Sequence, residues 1–382
     1  MQEIYADYNG SAPICNEVKE YIINRLNKGP FANPNATHHV GTRVKVAMEN
    51  ARSVCAKLLG AQMSQLVFNS GSTEGISTVF QSVLLNNPKK KIIISGIEHS
   101  AVTNNALFYQ ENHGHEVYTL QTKPNGIVDV EDLINHIDED TALVAVMAAN
   151  NETGVIQPYL DVAKICQEKG VPFLCDTTQF VGKTEFNFAE SGIDYAVVAG
   201  HKIGGMTGSG LVLAKDPATL KPLIIGGGQE KGLRGGTQNY LGNETLAVAL
   251  TYAMNNLPKY EAINTKRQQF EENIKAKFPQ IVIIGEDAPR LSSTSYLSMP
   301  GIHGQAVQME LESEGIYVTT SSACSDNNPQ TSKVLKAMGV TDDIGRGVVR
   351  ISLGLCNDPA LYDRIESALI NAYEKLSKIK SY

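Results

Sequence analysis

The sequence predicts an α/β protein with a large, mostly parallel-sheet domain and a smaller α+β domain. Three observations carry that expectation. Short apolar, β-branched-rich runs alternate with helical stretches through the middle of the chain. Polar residues stand directly at the ends of those runs, where open α/β sheets bind ligands. After about residue 250 the texture changes to longer charged helices and further short strands. A chain of 382 residues with 42% hydrophobic and 19% charged content has room for one large or two medium domains, and it is too apolar to be disordered.

Within the large domain, the segments Lys91–Ser95, Ala142–Met147, Pro172–Asp176 and Tyr195–Ala199 read as strands buried on both faces. Tyr159–Lys169 reads as a helix, with Leu160, Val162, Ala163, Ile165 and Cys166 on its packing face and Gly170 closing it. A strand, a helix and a strand in that order imply parallel pairing, and Gly210–Ala214 adds another strand. Gln65–Phe68 is strand-like and runs into Ser70-Gly71-Ser72-Thr73-Glu74-Gly75, ahead of a helical Ile76–Leu85. Small hydroxyl residues and free N–H groups at a helix start make a phosphate seat, but a plain N-cap explains the same residues. The region after about residue 250 reads as the smaller α+β domain, with helices at Pro258–Phe278, His303–Glu314 and Asp358–Lys378 and strands at Gln280–Gly285 and Ser293–Met299.

Charge and cysteine content narrow the function. With 33 basic and 40 acidic residues the net charge is −7, which argues against nucleic-acid binding through phosphate contacts. No apolar run is long enough for a membrane span and Met1–Asp7 has no basic segment before an apolar one, so a cytoplasmic protein is expected. The 6 cysteines form no C-x-x-C pair and are too sparse for a disulfide scaffold. Cys15, Cys55, Cys166, Cys175 and Cys356 read as structural. Cys324 differs, because its stretch Thr319–Pro329 is small and polar and cannot bury much apolar area. An inert loop thiol and a reactive one remain equally open on that basis. Neither Gly226-Gly227-Gly228 nor Gly204-Gly205 fits a dinucleotide fingerprint or a P-loop, and no metal site is expected.

The strand ends carry Glu98-His99, Asn150-Asn151-Glu152, Asp176 with Gln179, and His201-Lys202. A lysine, a carboxylate, a histidine and a phosphate seat are what pyridoxal phosphate requires: an amine for the Schiff base and an acid to keep the pyridine nitrogen protonated. The same residues resemble those of a known family. Asp7-Tyr8-Asn9, Asn33-Pro34, Ser70–Glu74, Glu98-His99, Asn150–Gly154, Asp176–Gln179, Gly200-His201-Lys202, Gly226–Glu230, Arg234–Thr237, Ser322-Ala323-Cys324 and Arg350–Gly354 fall in the order found in the cysteine desulfurases of the class V aminotransferase group. The spacing after Cys324 resembles the long-loop group I.

This resemblance implies a fold-type-I pyridoxal phosphate homodimer that converts L-cysteine to L-alanine, with a large cofactor domain of residues 16–252 and a small domain built from residues 1–15 plus 253–382. Sulfur would pass to Cys324 as a persulfide for an acceptor protein such as an iron–sulfur scaffold. Lys202 would hold the cofactor and move the substrate Cα proton. Asp176 would pair with the ring nitrogen, Gln179 with the phenolic oxygen, and His99 would stack on the ring and take the Cys324 proton. Ser72, Thr73 and His201 would hold the phosphate with Thr237 of the other subunit. Arg350 would bind the substrate carboxylate with Asn151 and Asn33 assisting. Several departures bear on affinity and preference: Ala199 for a usual serine or threonine, Gly10-Ser11-Ala12 for Ala-Thr-Thr, Gly204–Thr207 for Tyr-Gly-Pro-Lys, and Asp326–Gln330 for Ser-x-Ser-Leu-Glu-Pro. Selenocysteine lyase, a class V aminotransferase and a non-catalytic scaffold are the alternative readings.

Overall fold

The structure, a computed structural model, describes residues 3–320 and 331–378. Its centre is a seven-stranded sheet in the order Leu66–Asn69, Gly210–Ala214, Tyr195–Ala199, Phe173–Asp176, Thr141–Ala145, Lys91–Ser95, Glu116–Leu120. Gly210–Ala214 runs antiparallel to both its neighbours, and the remaining pairs are parallel. The five residues of Tyr195–Ala199 and of Thr141–Ala145 are all buried, which is why those runs carry no polar alternation. Glu116–Leu120, with exposed and half-buried residues, is an edge strand that lacks the uninterrupted apolar run of the central strands.

Helices cover both faces. The Tyr159–Lys169 helix ends as expected at Gly170, whose φ of 63° gives the left-handed cap. His39–Leu58 packs along Tyr240–Asn255 and seats Cys55 in the core. One apolar cluster, including Phe68, Val144, Phe173, Val198 and Leu250, fills one side of the sheet, and a second, including Phe80, Ile92, Ile94 and Val197, fills the other.

A separate core joins Ile4 and Ala6 to Tyr260, Phe270, Leu297, Val349, Ile351, Tyr362 and Tyr373. It sits on a three-stranded antiparallel sheet, Val348–Ser352, Thr294–Ser298 and Val282–Ile283, and on the helices Lys259–Lys277, Gly304–Ser313 and Leu361–Leu376. Ile4–Tyr5 pairs in parallel with Ile316–Tyr317, which draws the N-terminus into this half. The chain then crosses back through Asp7–Ala12, where the Ala12 N–H donates to the His201 carbonyl at 2.8 Å. That crossing brings the N-terminal residues between the two halves. Among the described residues no helix is long and apolar enough to cross a membrane.

Candidate active site

The strand ends converge on a cavity of about 840 Å³ between the two halves. Its floor is the carboxyl edge of the large sheet, which contributes Asp176, Ala199, His201 and Lys202, with His99 beside them. Its other wall comes from Asp7, Asn9 and Gly10 and from Tyr296, Thr319, Thr320 and Arg350. Ser332, Lys333 and Val334 line it as well. Cys324 lies outside the described residues, but the chain on both sides of its segment, Thr320 and Ser332, lines this cavity.

Lys202 follows the strand Tyr195–Ala199 in a short 3₁₀ turn. Its Nζ donates to the carbonyls of Asn9 at 2.7 Å and Gly10 at 2.6 Å. Burial, reinforced by the Arg350 charge, lowers its pKa to about 8, so a neutral, nucleophilic amine is accessible near physiological pH. Asp176 closes its strand at 6% exposure, and its Oδ1 accepts from the Thr178 N–H at 3.0 Å. Gln179 is buried, and its Nε2 donates to the Asn9 carbonyl at 2.8 Å.

His99 is the N-cap of helix Ser100–His113, and its Nδ1 accepts from the Ala101 N–H at 3.1 Å. That acceptor role fixes the neutral tautomer, with the proton on Nε2. The cavity walls withhold water from the ring, and together with the Lys202 and Lys333 charges they lower its pKa despite the opposing charge of Asp176. A neutral ring suits stacking. The proton-acceptor role expected for it concerns the Cys324 thiol, which lies outside the described residues.

Helix Ser72–Leu84 begins at Gly71, at φ 144° and with no side-chain cap. The two readings of Ser70–Gly75 therefore separate: no hydroxyl caps this helix, and its first turn opens onto the cavity. Ser72 accepts from Thr178 Oγ1 at 2.6 Å, and Thr73 lies exposed at the cavity rim. N–H groups at such a start, with the helix dipole behind them, make an anion seat. Ala199 presents only a methyl here, while Thr178 and Thr207 line the cavity with hydroxyls.

Arg350, 8% exposed, lies on strand Val348–Ser352. Its Nη2 contacts Asp7 Oδ1 at 2.6 Å and its Nη1 donates to the Asn151 carbonyl at 2.8 Å. Its buried Nε–H has no partner among the described residues, an orphan donor of the kind that a bound carboxylate satisfies. Asn150 shapes the loop that delivers Asn151: its Oδ1 accepts from the N–H groups of Glu152 and Thr153, both at 2.9 Å.

Asn33 and Thr237 are both exposed and neither lines the cavity of its own chain. They sit on adjoining segments, since Asn35 Nδ2 donates to Gln238 Oε1 at 3.1 Å. Cys15, Cys55, Cys166 and Cys175 are buried, as expected, and burial raises the pKa of each. Cys356 is exposed rather than packed. Four groups of the site were not singled out from the sequence. Asp7 and Asn9 were seen only as part of a motif, and Lys183 and Lys333 carry no local signal beyond being lysines. Glu98 also has a more specific setting than its motif suggested: it is 1% exposed, burial raises its pKa to about 8, and its Oε2 is unpartnered.

Comparison with known proteins identifies the family. Residues 4–364 match the family described as aminotransferase class-V. The chain is 35% identical to cysteine desulfurase IscS of Rickettsia typhi over 382 residues, covering 98% of this chain and 92% of the relative. It is 33% identical to cysteine desulfurase IscS of Dictyoglomus turgidum, covering 100% of this chain and 97% of the relative. A solved NifS-like protein superposes with a TM-score of 0.90 at 33% identity, over 98% of this chain and 100% of that one. A structure of SspA in complex with cysteine superposes with a TM-score of 0.80 at 29% identity, over 92% of this chain and 99% of that one. The chain belongs to the class V aminotransferase family and, within it, to the cysteine desulfurases.

Proposed function

We propose that the chain is a pyridoxal-phosphate-dependent L-cysteine desulfurase that carries sulfur on Cys324 to an acceptor protein. The observation that carries this reading is the meeting of Lys202, Asp176, His99, the open helix start at Ser72 and Arg350 around one cavity. Those residues fit the cofactor: an amine, a buried carboxylate, a neutral aromatic face and an anion seat. When bound, the cofactor supplies an electron sink conjugated to the substrate Cα.

Lys202 would hold the aldehyde carbon and Asp176 the ring nitrogen. Gln179 would take the phenolic oxygen through its second Nε2 hydrogen, and His99 would cover the ring. The first-turn N–H groups, Ser72, Thr73 and His201 would hold the phosphate. Arg350 would bind the substrate carboxylate through Nε and the free Nη2 hydrogen, a side-on fork that lysine cannot supply. Lys202, neutral above about pH 8, takes the Cα proton and keeps it at Nζ. The Cys324 thiolate then attacks the substrate sulfur. An S–S bond forms and the C–S bond breaks. The electron pair stays with the carbon skeleton, which gains protons and leaves as alanine, and the sulfur remains as a persulfide.

We further propose a homodimer. Exposed Ile23, Leu26, Phe31, Val46 and Ile225 give the segments around Asn33 and beyond Pro222 an apolar surface, and Ile225 alone is 86% exposed. In such a dimer Asn33 and Thr237 would complete the partner's cavity. The separate cores support two domains, one drawing on Ile4, Ala6 and residues from Tyr260 on, while Cys15 and Ala253 pack with the large-sheet core. A cytoplasmic location and an acceptor in iron–sulfur or thiolation pathways complete the reading.

Adding pyridoxal phosphate to the purified chain tests the cofactor assignment. The expected result is a visible absorption band that survives desalting in the wild type and is lost in Lys202→Ala. A wild-type protein that stays colourless with saturating cofactor overturns the reading.

A further inference from the structure

Lys183 lies seven residues beyond its sheet strand, outside the cavity lining, and yet it is 6% exposed. Its Nζ donates to Gln179 Oε1 at 2.6 Å and to Asn9 Oδ1 at 2.8 Å. Both partners are themselves buried, at 4% and 1% exposure. An ammonium here would leave a third N–H without an acceptor among the described residues, whereas a neutral amine has two hydrogens for two oxygens. Burial, together with the charges of Lys202 and Arg350, accordingly holds its pKa well below the ordinary value.

The consequences run through both partners. Accepting at Oε1 fixes the Gln179 amide so that Nε2 points to the Asn9 carbonyl, at 2.8 Å. Holding Oδ1 fixes Asn9, whose Nδ2 donates to Thr294 Oγ1 at 2.9 Å and to the Asn151 carbonyl at 3.2 Å. The same Asn9 carbonyl accepts from Lys202 Nζ at 2.7 Å, and the Asn151 carbonyl also accepts from Arg350. A single buried amine therefore ties the resting position of Lys202, the orientation of Gln179 and the loop beneath Arg350 into one hydrogen-bonded unit.

We propose that Lys183 is a positioning residue that sets the Lys202 amine and the Gln179 amide for the cofactor. The proposal rests on the pyridoxal phosphate reading above. Lys183→Met keeps the stem length and removes both donors, and Lys183→Gln restores an amide N–H pair. Each is compared with the wild type as holoenzyme in three measurements: the pH titration of the visible band, the split between kcat and KM, and the thermal midpoint.

With Lys183→Met, the expected result is bound cofactor whose band titrates at a midpoint shifted by about half a pH unit or more. The expected kcat falls roughly tenfold to a hundredfold with little change in KM. Lys183→Gln is expected to recover part of both. In a Gln179→Ala background the Lys183→Met effect should shrink, because one of its two routes is already cut. A wild-type titration midpoint and kcat in folded Lys183→Met overturns the proposal. So does a loss that is fully additive with Gln179→Ala. If Lys183→Met does not fold, the same titration on Asn9→Ala, which cuts the other arm, decides it by the same outcomes. Failure of the wild type itself to bind pyridoxal phosphate sinks the cofactor reading instead and is read separately.

Discussion

Asp7→Asn probes the anion site most sharply. The Asp7 carboxylate already occupies one face of Arg350, with Oδ1 at 2.6 Å from Nη2 and side-chain exposures of 25% and 10%. The neighbouring Gly10 makes room for it: a Cβ there would lie 2.4 Å from Asp7 Oδ2. A substrate carboxylate arriving on Nε and Nη2 must share the guanidinium with that resident charge. Two unit charges about 4 Å apart repel by about 4 kcal/mol at an effective dielectric constant of about 20. Solvent at the quarter-exposed Asp7 screens this to about 1–2 kcal/mol. An asparagine keeps an oxygen acceptor for Nη2 and removes only the charge. The expected outcome is a KM for L-cysteine lowered about 5–30-fold, the range that about 1–2 kcal/mol corresponds to. Alanine formation under steady state measures it, with L-cysteine methyl ester as control, since it lacks the carboxylate and its KM should not move. A raised KM for L-cysteine, or an equal drop for the ester, refutes the shared-guanidinium reasoning.

Two predictions concern stability. The folded state holds the Glu98 proton up to about pH 8 against an unfolded value near 4.5, so its stabilising contribution is complete below about pH 4.5 and is lost as pH rises towards 8. Glu98→Gln should match the wild type in denaturant midpoint at pH 5 and exceed it at pH 8.5; equal midpoints at pH 8.5 contradict this. Glu230 pairs with buried Arg52 at 2.7 Å and accepts from the Phe68 N–H at 3.0 Å. Glu230→Ala strands that guanidinium and should cost about 3–5 kcal/mol in urea unfolding, whereas a loss under 1 kcal/mol would show that the pair is dispensable.

The large sheet was legible because strands buried on both faces are uninterrupted apolar runs, and Tyr195–Ala199 was read to the residue. Glu116–Leu120 was not, since an edge strand with exposed positions has no such run. Lys202, Asp176, His201 and His99 were legible from their places at strand ends. Their meeting with Arg350, more than 140 residues away in sequence from Lys202, rests on the N-terminal crossing and on two separate sheets. No local pattern reports such a long-range contact. Lys183 was missed for the same reason, because its partners Gln179 and Asn9 are joined only in the folded chain. The Gly226–Glu230 motif has a structural component that spacing alone did not disclose, namely the Arg52–Glu230 pair beneath the first strand of the sheet. That His99 also caps the helix after its strand is a detail set by backbone geometry, which residue order does not disclose.

The proposed chemistry removes sulfur from cysteine and keeps it on Cys324. The most direct test supplies L-cysteine and pyridoxal phosphate to the wild type and to Cys324→Ala, and measures alanine and sulfide together with a reductant present. The account predicts equal amounts of alanine and sulfide from the wild type, and loss of both from Cys324→Ala while its cofactor band remains. Wild-type rates from Cys324→Ala, or no alanine from a wild-type protein that holds the cofactor, would contradict it.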